Sequence, residues 1–122
     1  MLLGKAFLSS LPDEEIEKFL STRKLTSVTP RTITNSDQFL IELRRARRQG
    51  FSIDNEENES GGRCVAAPIF DYSGLPIAAV SVSVPVRRLP ESKIPLFGKR
   101  VKQAAESISH DLGFSSRNID YP

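Results

Sequence analysis

The sequence predicts a mixed α/β (α+β) domain in which an antiparallel sheet is flanked by helices, and three observations carry that prediction. Residues 62–85, GRCVAAPIFDYSGLPIAAVSVSVP, read as two apolar strands folded on Asp71-Tyr72-Ser73-Gly74, where Asp and Gly make a positive φ inexpensive. Apolar residues recur at helical spacing at Phe39, Leu43 and Ala46, and again through residues 96–112. Phe51-Ser52-Ile53-Asp54 alternates apolar and polar residues, as a short half-buried strand does.

A chain of 122 residues is expected to form one domain, burying on the order of two-thirds of the surface that its unfolded state exposes. Only 39% of the residues are apolar and no stretch approaches the ~20 consecutive apolar residues of a membrane-spanning helix, so no membrane partner is expected. The opening MLLGKAFLSSL is interrupted by Gly4 and Lys5 and runs straight into an acidic helical segment, which argues against a secretory leader. One cysteine excludes an intramolecular disulfide and fits the reducing cytoplasm, the expected location. A net charge of +2 decides little. Arg44, Arg45, Arg47 and Arg48 form a basic knot and Asp54, Glu56, Glu57 and Glu59 an acidic one, and the two are expected to neutralise one another in part.

Taken in order, residues 4–11 start a helix with Ala6, Phe7 and Leu8 on its apolar side. A second begins at Leu11-Pro12-Asp13-Glu14-Glu15, because proline suits a first helical turn and the acidic residues meet the positive end of the dipole; Ile16, Phe19 and Leu20 give it a buried stripe. Residues 22–35 read as a loop, extended at residues 31–34. Asn35 or Ser36 caps the next helix, with Gln38 completing a loose capping box, and Gly50 stands just past its end. The arginine knot lies on the polar side of that helix. Contact with DNA phosphates is one reading; a solvated face whose cations meet the negative end of the dipole is the favoured one. Residues 55–62 form a polar loop able to move on binding. In the second strand, Ile77, Ala79, Ser81 and Ser83 share one face, and Ala78, Val80, Val82 and Val84 the other. After a proline-bounded connection at residues 86–95, the last helix, residues 96–112, is expected to bury Phe97, Val101, Ala104, Ala105, Ile108 and Leu112, with Gly113 closing it. Residues 1–114 make the domain and residues 115–122 a C-terminal tail.

Asp54, Cys64, Ser81 and Ser83 are the candidates for ligand contact. Two in-facing hydroxyls can serve a bound carboxylate or hydroxyl, and Cys64 adds a weak S–H donor. Asp54 beside an anion must either accept a ligand hydroxyl or be protonated. Each also has a plain structural reading: a buried cysteine is a small hydrophobe, a strand serine bonds to main chain, and an aspartate at a strand end caps a turn. A metal site on Asp54, Cys64 and His110 has no ligand-pair spacing behind it, and no cofactor is predicted. The sequence has no G-x-S-x-G elbow and no phosphate-binding glycine pattern, and Cys64 has no histidine partner in view; no catalytic residue is assigned and no enzyme expected.

The order GKAFL, a helix ending in GF, the acidic D-x-E-E loop at Asp54, the run GxxCVAAPIFDxxGxPIAAVSVSxPxxR and a final helix ending in LG resembles the effector-binding domain of the IclR family of bacterial transcriptional regulators over residues 2–114. The resemblance implies a profilin-like or GAF-like fold, a pocket for a small organic acid effector, and transcription regulation through homo-oligomers, dimers or tetramers. It places Asp54, Cys64, Ser81 and Ser83 among pocket-lining positions. It also aligns Leu2 and Leu3 with a pocket-lining segment of small residues and exposed amides, so two leucines there are a departure, as is Val84 where relatives carry glycine. Family members add an N-terminal winged helix-turn-helix and further strands before the G-K-A motif. This chain is therefore expected not to bind an operator on its own, and to expose a sheet edge that invites pairing with another chain. The alternatives are a stand-alone fragment acting as a dominant-negative partner of a full-length regulator, or a small GAF-like enzyme acting on a carboxylate.

Overall fold

The computed structural model describes residues 2–22, 29–57 and 60–115, without the side chains of residues 2–4 and 22. Strands β1 (Ser52–Asn55), β2 (Gly62–Phe70) and β3 (Pro76–Pro85) form an antiparallel sheet in the order β1-β2-β3. Helices α1 (Leu2–Ser9), α2 (Asp13–Thr22) and α3 (Ser36–Gln49) precede it, and α4 (Ile94–Asp111) follows it. Two 3-10 turns, Val86–Arg88 and Glu91–Lys93, fill the proline-bounded connection and bury Leu89 between them. The expected residues 116–122 of the tail lie outside the described residues.

The side-chain alternation of the strands sorts the sheet into two faces. Val65, Ala67 and Ile69 of β2 and Val80, Val82 and Val84 of β3 point to α4 and pack on Val101 and Ala105. Cys64, Ala66 and Ala79 point the other way, where Ala6 of α1 sits directly on them. A second cluster, built by Leu8, Ile16, Phe39 and Leu43, holds α1, α2 and α3 to one another beside the sheet. The hairpin turns as expected: Gly74 has φ 83°, and its N–H donates to Asp71 O at 3.0 Å. Asp71 Oδ1 accepts from Ser73 Oγ and Ser73 N–H, and these donors hold its carboxyl below the ordinary aspartate range. The turn bonds are present above the ordinary aspartate pKa and weaken as pH falls through the lowered one.

Asn35 is the residue that caps α3, with Oδ1 accepting from the N–H groups of Asp37 and Gln38, and Gly50 closes the helix at φ 86°. Arg47, expected on a solvated face, is largely buried instead. It donates to Ser9 O at 3.0 Å, a carbonyl that α1 leaves unpaired at its end, and to Leu11 O at 2.6 Å in the link to α2, and it pairs with Asp13 at 3.1 Å. The basic and acidic knots do not meet among the described residues: Arg44 faces Asp13 and Arg45 faces Glu42, while Glu56 faces Arg31 and Glu57 faces Lys5.

The last helix starts at Ile94 and buries Val101 and Ala105 as expected, with Phe97 packed on the core, but the rest of its inward stripe differs from the expected one. Gly98, Val101, Ala105 and Ser109 are buried, whereas Ala104 is exposed and Ile108 and Leu112 remain 41% and 43% exposed. Two small residues set that rotation. A Cβ on Gly98 would lie 2.3 Å from the Phe51 ring, so only glycine lets the ring lie against the helix. Ser109 Oγ accepts from Phe70 N–H at 2.9 Å and donates to Ala105 O at 2.8 Å, which binds α4 to the end of β2 through a fully buried hydroxyl.

Ladder phase explains a proline inside the middle strand. Glu56 N–H donates to Gly62 O, so the even-numbered main-chain groups of β2 face β1 and the odd-numbered ones face β3. The pairing with β1 ends at Ser52 opposite Ala66, and Pro68 therefore lacks its N–H at a place where no strand asks for one. Gly98→Ala should cost about 1–3 kcal/mol in denaturant unfolding through overpacking against Phe51. A change within ~0.5 kcal/mol, as at an ordinary surface site, would show that the ring moves aside freely.

Candidate functional site

Antiparallel register lines up the candidate residues across the sheet. Asp54 of β1 stands opposite Cys64 of β2, and Cys64 opposite Ser83 of β3, which makes one row on the α1 face. Ser52, Ala66 and Ser81 form the adjoining row. Asp54, Cys64 and Ser83 line a cavity of about 350 Å³ together with Ser60, Gly61, Gly62, Val84 and Pro85. Ser81 is exposed on the same face but does not line it. Leu2 and Leu3 form the first turn of α1, and their side chains lie outside the described residues.

The chemistry of the row follows from its partners. Cys64 Sγ and Ser83 Oγ are 2.9 Å apart, and either donates to the other, so one hydrogen-bonding valence stays turned to the cavity. Asp54 is 4% exposed, and its Oδ1 accepts Glu57 N–H at 2.9 Å, the turn cap that an aspartate at a strand end commonly makes. Its other oxygen has no hydrogen-bond partner among the described residues. Among the described residues no lysine, arginine or histidine lines the cavity, and Asp54 is its one carboxyl group.

Glu57 ties this carboxylate to the rest of the domain. Its Oε1 takes the Lys5 ammonium at 2.7 Å, its Oε2 takes Asn55 N–H at 2.9 Å, and Lys5 also donates to Ile53 O at 2.7 Å. Both Ile53 O and Asn55 N–H belong to the outer edge of β1, so a helix lysine and a loop glutamate occupy groups that another strand would otherwise seek. Thr29 and Thr32 donate through their hydroxyls to Glu56 O and Glu57 O, which holds the same loop from the far side. Gly61 N–H donates to Glu56 Oε1 at 3.0 Å and, with Arg31, holds the Glu56 carboxyl below the ordinary glutamate range. Asn55, Glu56, Glu57 and Gly61 of this polar loop are thus tied by hydrogen bonds. On the α4 face Arg63 donates to Asn55 Oδ1 and Leu89 O.

Sequence reasoning assigned no role to Lys5, Glu57 or Arg63. The signal was a lone lysine inside MLLGKAFL: a cation in an apolar helical stretch requires a buried partner. Among the described residues no group of three or more His, Cys, Asp and Glu is placed to hold a metal ion, and no helix is long and apolar enough to cross a membrane.

The model of the bacterial transcriptional regulator IclR C-terminal domain matches residues 2–110. The transcriptional regulator KdgR of Escherichia coli K12 is 36% identical over 120 residues, which are 98% of this chain and 44% of that protein. The crystal structure of Thermotoga maritima IclR superposes with a TM-score of 0.86 at 42% identity, over 91% of this chain and 45% of that one. A double-mutant inducer binding domain of the Acinetobacter transcription factor PobR, solved in complex with 3-hydroxybenzoic acid, superposes with a TM-score of 0.79 at 28% identity, over 89% of this chain and 63% of that one. The chain belongs to the IclR family of bacterial transcriptional regulators and corresponds to its C-terminal domain, a mixed helix and antiparallel-sheet fold of the GAF-like and profilin-like type. It spans less than half the length of the curated regulators KdgR and XynR of E. coli that it matches.

Lys5→Met leaves the Glu57 carboxylate buried and unpaired, and should destabilise the domain by about 3 kcal/mol in chemical unfolding. Adding Glu57→Gln to Lys5→Met should restore part of that loss. A double mutant less stable than the single one would contradict the pairing.

Proposed function

We propose that this chain is the effector-sensing and oligomerising domain of an IclR-type transcriptional regulator, and that its effector is a small organic acid carrying a hydroxyl group. The observation that supports this reading is the Asp54, Cys64 and Ser83 row on a single cavity. With no cation among the described residues that line the cavity, an ionised Asp54 repels a carboxylate but accepts a hydroxyl, while Ser83 and Cys64 serve as further partners. The acid group then lies toward the first turn of α1, where Leu2 and Leu3 stand and main-chain N–H groups have no helical acceptor. The 3-hydroxybenzoic acid held by the PobR domain combines the same two groups, and supports this choice of ligand class. Binding would favour one placement of α1 over another and so shift the population of the assembled regulator.

Ligand at about a hundred times Kd stabilises a domain by roughly 2.7 kcal/mol, so a thermal-shift titration against hydroxylated and unsubstituted acids should find the effector class. Hydroxylated acids should win, and Ser83→Ala should weaken them about tenfold, equivalent to ~1.4 kcal/mol. Asp54→Asn should narrow the preference for the hydroxylated member of each pair. Equal binding of paired acids with and without the hydroxyl would count against the assignment of Asp54.

Oligomerisation has its own candidate surface. The odd-numbered main-chain groups of β3, from Ile77 to Ser83, point away from β2, and β3 carries no charged residue to deter another strand. We propose that this edge joins chains. Light scattering should return a dimer or larger species that Ile77→Lys converts to monomer. A wild-type chain that stays monomeric across a concentration series would refute the proposal.

A further inference from the structure

The cavity beside Asp54 is not the place on this chain best suited to an anion. A second cavity, of about 520 Å³, opens where β2 runs on past the end of β1, between the C-terminal end of α3 and the outer part of α4. It exists because β1 pairs no further than Ser52 with Ala66, leaving residues 67–70 of β2 without a strand on that side. The main-chain N–H donors of that half-edge are already accounted for. Pro68 has no N–H, and Phe70 N–H is taken by Ser109 Oγ at 2.9 Å. What remains is an apolar floor rather than a strand-pairing site, built by Ala67, Ala105 and the stacked rings of Phe70 and Phe114, whose centroids are 5.0 Å apart.

The rim is cationic. Arg48 has no ion pair or hydrogen bond among the described residues. Lys102 lies across Gly50, where even a Cβ would come within 2.6 Å of its Cε, so its stem is held against the mouth. Its ammonium is 3.9 Å from Glu106 Oε1, the one carboxylate on the rim among the described residues, a distance that leaves donors unspent. His110 adds a further donor. Arg47 also borders the cavity, but its guanidinium is committed to Ser9 O, Leu11 O and Asp13.

We propose that this cavity is a second ligand site, taking a small carboxylate with an aromatic body: the ring lies on Phe70, Phe114 and Ala67, and the acid group lies between Arg48 and Lys102. Its volume is within the ordinary range of small-molecule sites, and an apolar floor with a few converging polar groups is their usual composition. The site shares no lining residue with the cavity beside Asp54, so it stands whether or not that cavity binds an effector.

The test is a titration of the isotopically labelled chain with phenylacetate, followed by amide NMR, with benzyl alcohol as the uncharged control of similar body. Saturable shifts are expected at Ala67, Lys102 and Phe114, about tenfold weaker binding in Lys102→Glu and in Arg48→Glu, and no loss in Ser83→Ala, which alters only the other cavity. Three results overturn the proposal: saturable shifts centred on Asp54 and Cys64 instead, benzyl alcohol binding as tightly as phenylacetate, or no response at about 10 mM ligand. Both charge reversals are at the surface, and the dispersion of each spectrum reports directly whether the variant is folded.

Discussion

Lys5 and Glu57 set the position of α1, and with it the geometry of the whole α1 face. An ammonium and a carboxylate taken out of water cost several kcal/mol each unless their remaining valences are filled, and here each meets a main-chain partner besides the other. The apolar contact between α1 and the sheet is made by small side chains, Ala6 against Ala66, which bury little surface. Placement of the helix is therefore shared between Leu8, buried among Ile16, Phe39 and Leu43, and polar clamps: Lys5 toward the N-terminal part, and Arg47 on the carbonyls of Ser9 and Leu11. Because Glu57 also donates its N–H to Asp54, the carboxylate in the cavity and the helix above it belong to one hydrogen-bonded unit.

The second constraint is the phase of the β2 ladder. One alternation sends even-numbered main-chain groups toward β1 and odd-numbered ones toward β3, and β1 is too short to use all that it is offered. Pro68 and the Ser109 hydroxyl leave no unpaired N–H group on the unused half, and that edge becomes the wall of a cavity. Among the described residues no such closure is found on the far side of β3. The sheet thus has one edge stopped by side chains, at Lys5 and Glu57, and one left as a row of free main-chain groups.

Much of this was legible in the sequence, because the governing signals are local. The turn at Asp71-Tyr72-Ser73-Gly74, the cap at Asn35, the stop at Gly50 and the two-sided alternation of β3 each depend on a few adjacent residues. The common row of Asp54, Cys64 and Ser83 followed only from register, which no single strand reveals. Long-range polar pairs escaped altogether. Arg47 read as one of four equivalent arginines, although one of the four lies over the end of α1, and Glu57 read as part of an acidic loop, although it is the partner of Lys5 far away in the chain. The face of α4 was misjudged for a related reason. Ile108 and Leu112 look like core residues, but a glycine and a serine pack closest, and hydrophobicity gives no hint that smallness is what the contact needs.

The notch at Gly98 has a mechanical consequence. With the Phe51 ring seated in it, α4 can neither slide by a residue nor roll without driving a side chain into the ring, so the back of the sheet behaves as a fixed frame. On the front, α1 meets the sheet through alanines, ions and carbonyls, which exchange partners at lower cost than a close-packed seam separates, while Leu8 ties it to α2 and α3. A rearrangement of this domain is thereby expected at the front, where α1 is coupled to α2 and α3, rather than at the back.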